Sequence, residues 1–107
     1  MIRGAIWTAA GGGTFTSKLR PVLVVQDARF AETMSITVCP STGAGARLAR
    51  VRVEPTVENG LLSTSWIMAD KVTTIPRVNI GRSIGRLSVS HLLHVDEALV
   101  LFLGLAR

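Results

Sequence analysis

The chain has 107 residues, 48% of them hydrophobic and 18% charged, a length that suits one domain and an apolar share that excludes an intrinsically disordered chain. No apolar run approaches the roughly 20 residues of a membrane-spanning helix, and Met1-Ile2-Arg3-Gly4 lacks the regions of a secretory signal, so the expectation is a soluble cytoplasmic domain with no membrane partner. Twelve Lys and Arg against seven Asp and Glu give a net charge of +5, which favours a polyanionic partner, nucleic acid first, over a merely solvated basic surface.

Short strand signals fill the first 87 residues. Ile2–Thr8 reads as extended, and Ala9–Leu19 as a loop, because Gly11-Gly12-Gly13 frees the backbone there. Pro21-Val22-Leu23-Val24-Val25 is apolar on both faces, the mark of a central strand, and Pro21 should open it because proline cannot donate to a ladder. Ile36–Cys39 alternates and should stop at Pro40. Arg50-Val51-Arg52-Val53 places arginines on one face and valines on the other, and Pro55–Gly60 reads as a turn. Trp66-Ile67-Met68, Thr73-Thr74-Ile75 and Ile84–Leu87 supply further strands. The period then changes: Ser88 is a good N-cap, Leu92, Val95, Leu99 and Phe102 share a helical face, and Gly104 suits the C-terminal cap. A small, strongly bent antiparallel sheet or open barrel with one helix packed on it follows.

The isolated motifs discriminate less. Gly11-Gly12-Gly13 lacks the Gly-Lys-Ser/Thr ending of a phosphate loop and reads as a flexible connection. His91 and His94 stand three apart on the predicted helix, with no ordered third ligand, and read as surface histidines. Cys39, the single cysteine, excludes an internal disulfide and a multi-cysteine metal site; in an apolar strand it reads as a buried, inert thiol. Lys18 and Arg20 stand at the mouth of the central strand, where a rigid scaffold would hold them. A solvated strand end explains them equally well. Ser41 and Thr42 offer two hydroxyls at a similar level, though each alone reads as a turn residue.

Taken together in chain order, several segments resemble the MazF/PemK family of toxin endoribonucleases. They are Arg3-Gly4-Ala5-Ile6-Trp7, Arg20-Pro21-Val22-Leu23-Val24-Val25, Val38-Cys39-Pro40-Ser41-Thr42, Met68-Ala69-Asp70-Lys71-Val72-Thr73-Thr74-Ile75, Gly85-Arg86-Leu87-Ser88 and Val95-Asp96-Glu97-Ala98-Leu99. The resemblance implies one SH3-like antiparallel β-barrel domain over residues 1–107 with a C-terminal helix, normally a homodimer. It also implies cofactor-free, metal-independent cleavage of single-stranded RNA and inhibition by a cognate antitoxin. Carried onto this chain, the family's catalytic arginine is Arg20 and its catalytic threonine Thr42. Lys18 and Ser41 are the adjoining RNA-binding candidates. One departure stands out: the Ala9–Leu19 loop holds no acidic residue, so it offers no carboxylate as proton acceptor.

Metal-free RNA cleavage needs the 2′-hydroxyl to attack the neighbouring phosphate, giving a 2′,3′-cyclic phosphate and a 5′-hydroxyl. Arginine suits the stabilisation of charge on phosphorus, since it is permanently cationic and donates two parallel bonds. Two readings of other classes stay open. One is a CcdB-like toxin that poisons DNA gyrase, for which the terminal Gly104-Leu105-Ala106-Arg107 lacks the tryptophan needed. The other is a non-catalytic SH3-like nucleic-acid-binding module.

Overall fold

The computed structural model describes residues 1–10 and 18–105; the predicted Gly11-Gly12-Gly13 connection lies outside them. Seven strands precede one helix: β1 (Ala5–Ala10), β2 (Leu19–Val24), β3 (Ser35–Thr42), β4 (Arg50–Val53), β5 (Ser65–Met68), β6 (Thr73–Pro76), β7 (Ile80–Arg86) and α1 (Val89–Phe102). All strand pairs are antiparallel, in the order β4-β5-β3-β2-β1-β7, and β6 joins β3 beside β5. The antiparallel sheet with a C-terminal helix is as expected. The barrel is an open one: among the described residues β4 and β7 do not pair with each other, and the sheet forks at β3.

Both prolines lie inside their strands, against expectation, and the pairing explains why. The ladder between β2 and β3 begins only at Val22 opposite Pro40, so Pro21 precedes it on that side. There the Ser41 hydroxyl donates to the Pro21 carbonyl at 2.8 Å in place of a ladder bond. Along its other edge β3 pairs with β6 from Ser35 to Val38 and with β5 at Ser41 and Thr42. Pro40 falls in the gap between these partners, where its missing N–H leaves no bond unmade.

The sheet buries both faces, which is why β2 reads as continuously apolar. Ile6, Leu23, Cys39, Val51, Val53, Ile67 and Val95 form one cluster, capped by α1. Ala9, Val22, Val24, Ile36 and Val38 form the other, with Trp7, Ile75 and Ile80 packed on it. No helix covers this second face among the described residues. Cys39 is fully buried, and that burial pushes its thiol up to about 12, in keeping with an inert core residue.

The helix is capped as its sequence requires. Ser88 Oγ accepts from the His91 amide, and Leu105 and Gly104 return their N–H groups to the carbonyls of Val100 and Leu101, with Gly104 in the left-handed region at φ 71°. Leu92, Val95 and Leu99 face the core. Phe102 does not; it is 48% exposed.

Candidate active site

β2 and β3 run side by side, and their register (Val22 opposite Pro40, Leu23 opposite Cys39) continues to set Pro21 opposite Ser41 and Arg20 opposite Thr42. Alternation then gives Arg20 and Thr42 one face and Pro21 and Ser41 the other. At the strand ends a cavity of about 350 Å³ opens, lined by both pairs together with Thr8, Leu61, Ser63, Ser65 and Arg82. The opposite wall is the connection from β4 to β5. Asn59 ties that connection together, accepting from the amides of Thr56 and Leu61 and donating to the Glu54 carbonyl. Gly60 stands at φ 67°, where a Cβ would collide with the Ile84 carbonyl; only glycine lets this wall close on β7.

The lining carries two arginines and several hydroxyls. No carboxylate or imidazole is present among its described residues. Of the arginines elsewhere, four pair with carboxylates, and Arg47, Arg77 and Arg86 make no ion pair among the described residues. Arg50, its side chain 7% exposed, grips Asp70 through two bonds of 3.0 and 3.1 Å and holds that carboxyl below the usual carboxylate range. Arg3 pairs with Asp96 and donates to the Val25 carbonyl, fastening the N-terminal segment to α1. Arg29 pairs with Asp27 and Arg52 with Glu54. Arg20 and Arg82 make no ion pair among the described residues.

Of the residues singled out in the sequence, Arg20, Ser41 and Thr42 line the cavity and Lys18 does not, although it is exposed just before β2. The two hydroxyls differ. Ser41 is buried and commits its only proton to the Pro21 carbonyl, so it fastens β3 to β2 and has none left for a phosphate. Thr42 Oγ1 accepts a long 3.4 Å bond from the Ala44 amide and keeps its own proton free to donate. His91 and His94 are absent from the cavity. Their rings meet edge-on at 6.5 Å, and His91 Nδ1 lies 2.8 Å from Ser88 Oγ at the helix cap. No group of three His, Cys, Asp or Glu able to hold a metal exists among the described residues, and no helix there is long and apolar enough to cross a membrane. Arg82 is the site residue that sequence reasoning missed; its place depends on pairing with a strand over seventy residues upstream.

Fold and cavity together define a small basic β domain with an anion-receptive cleft at one end of its central strands. Residues 2–103 match the family model described as PemK-like, MazF-like toxin of type II toxin–antitoxin system, and the chain belongs to that family. It is 48% identical over 108 residues, covering 99% of both chains, to a probable endoribonuclease MazF of Mycolicibacterium smegmatis. Among solved structures it resembles the Mycobacterium tuberculosis toxin MazF-mt6, with a TM-score of 0.79 and 28% identity, covering 94% of this chain and 96% of that one. It shares its fold with an endoribonuclease from a mycobacterial species solved with its cognate antitoxin. That match has a TM-score of 0.82 at 19% identity and covers 100% and 98% of the two chains.

Proposed function

We propose that this chain is the toxin of a type II toxin–antitoxin pair, a single-domain cytoplasmic endoribonuclease that cuts single-stranded RNA sequence-selectively and without metal. The observation that carries the reading is the acid-free cavity holding Arg20 beside Thr42 at the ends of two adjoining core strands. The full-length likeness to an endoribonuclease adds to it, and the gyrase and simple-binding alternatives have no comparable support.

The chemistry follows from the donors present. The 2′-oxygen bonds to phosphorus as the P–O5′ bond breaks. The 2′-proton departs, the 5′-oxygen gains one, and the ends left are a 2′,3′-cyclic phosphate and a 5′-hydroxyl. Arg20 is cationic at every working pH and donates two parallel bonds to the phosphate oxygens as their charge rises. Thr42 donates its free proton to one of the same oxygens. A guanidinium with a pKa above about 12 is a poor base, so Arg20 stabilises charge, and holding the 2′-oxygen in line supplies much of the remaining rate. Ser41 acts by keeping β3 in register.

A two-fold homodimer would double the basic groove that a domain this small offers. The family's antitoxin partner suits such a surface: an acidic segment can lie in the cleft, pair carboxylates with Arg20 and exclude RNA. Incubating the purified protein with a long unstructured RNA in excess EDTA tests the proposal. Discrete cleavage with cyclic phosphate ends supports it. No cleavage, or cleavage only when metal is restored, overturns it.

A further inference from the structure

β7 carries an irregularity at the cavity. It pairs with β1 through Ala9 opposite Ile80 and Trp7 opposite Ser83. One residue of β1, Thr8, therefore stands against two of β7, Gly81 and Arg82. This is a β-bulge, which re-aims side chains and is common beside active sites. In an unbroken strand Arg82 would share the face of Ile80, which packs on the Ala9–Val38 cluster. The extra residue turns it off the face that Ile80 shares with Ala9 and Arg20 and onto the face of Thr8 and Pro21, and the cavity at the strand ends is lined from both faces.

The bulge is held by specific chemistry. The Arg82 amide donates not to the ladder but to Thr8 Oγ1, at 3.0 Å. Gly81 lies so close that a Cβ there would collide with that same hydroxyl oxygen, so glycine keeps the acceptor in place. Thr8 in turn stands opposite Pro21, next to Arg20. Arg20 on β2 and Arg82 on β7 thus approach the cavity from strands on either side of β1. Those strands lie about 10 Å apart, two strand spacings.

We infer that Arg82 is a second phosphate-binding residue of this site, aimed by the Gly81–Arg82 bulge at the backbone phosphate flanking the one that is cut. The inference rests on the proposed RNA cleavage and names a contact within it. If Arg20 serves the scissile phosphate, whose charge grows during reaction, Arg82 serves a phosphate whose charge does not change. Its contribution is then equal in ground and transition states, and its loss raises KM while leaving kcat in place.

The test measures binding of a 2′-O-methyl RNA, which cannot be cut, across a salt series, alongside steady-state cleavage of the matching RNA. Arg82→Ala should weaken binding and raise KM by on the order of tenfold, and should flatten the slope of log affinity against log salt by about 0.7, one single-strand phosphate contact. Its kcat should stay within about twofold of wild type, as for a uniform binding contact. Arg82→Lys should restore the slope, and Thr8→Val, which removes the amide's acceptor, should shift KM in the same direction. Arg29→Ala removes an equal charge far from the cavity and should leave the slope unchanged. An unaltered slope and KM in Arg82→Ala would overturn the inference, as would an equal change in Arg29→Ala or a loss confined to kcat. If wild type neither binds nor cuts RNA, the functional reading itself fails; if wild type does both and Arg82→Ala matches it, only this contact fails.

Discussion

Two arginines on one sheet, on strands separated by two others, have opposite fates. Arg50 on β4 is almost wholly buried and closes a two-bond fork on Asp70. Arg20 on β2 is exposed, lines the cavity and has no carboxylate partner among the described residues. A buried guanidinium must be neutralised or the fold bears an uncompensated charge; a guanidinium left open keeps its field and its five donors for a ligand. On the proposed function the side chain is structural at Arg50 and chemical at Arg20; Arg47, Arg77 and Arg86 also make no ion pair among the described residues, so it is the cavity shared with Thr42 that singles out Arg20.

The difference can be sharpened by mutation. Thr42→Ala should lower kcat by about 10²–10³-fold, the usual loss when one transition-state donor is removed, with the thermal midpoint near that of wild type. Arg50→Ala should do the reverse, lowering the thermal midpoint while leaving cleavage per folded molecule unchanged. If Arg50→Ala cuts kcat at unchanged stability, the division between structural and chemical arginines is wrong.

The acid limb of the stability profile probes the structural half. Asp70 has its pKa lowered, chiefly by its hydrogen bond from Arg50. Its contribution is fully present above the unfolded carboxyl value of 3.8 and is lost as pH falls through the lower folded value. Urea midpoints of wild type and Asp70→Asn should therefore converge as the pH drops below that range. The alkaline limb has the opposite sign. Cys39 stays protonated in the fold up to about 12 against an ordinary 9.0, so stability should decline as pH rises between those values. Cys39→Ala should flatten that decline. The smallest effect belongs to the histidines: His91→Ala and His94→Ala should leave cleavage unchanged, since both lie on the helix away from the cavity.

How much of this was legible from residues alone depended on range. The helix and both its caps are written locally, in Ser88 and Gly104, and the structure keeps them. The alternation of Arg50–Val53 marks the buried valines and their strand. Arg20 and Thr42 were proposed because ordered segments resemble a known family, and both line the cavity. What could not be read was cross-strand. Pro40 looks like a stop until β3 is seen to change partners there. Ser41 looks like a ligand donor until its proton is found on the Pro21 carbonyl. Arg82 looks like any surface arginine until the bulge against Thr8 turns it into the cleft. Each of these depends on partners 20 to 74 positions away, beyond the span of any local pattern.

The most direct test of the central claim is the single-turnover cleavage rate of Arg20→Ala in EDTA, measured beside its thermal midpoint. The rate should be lower by more than about 10³-fold, beyond the loss of one ordinary donor, with the midpoint close to that of wild type because Arg20 is exposed and makes no ion pair among the described residues. Cleavage at the wild-type rate by a folded Arg20→Ala protein would contradict it, and would show that the open arginine of this cleft is not where the chemistry occurs.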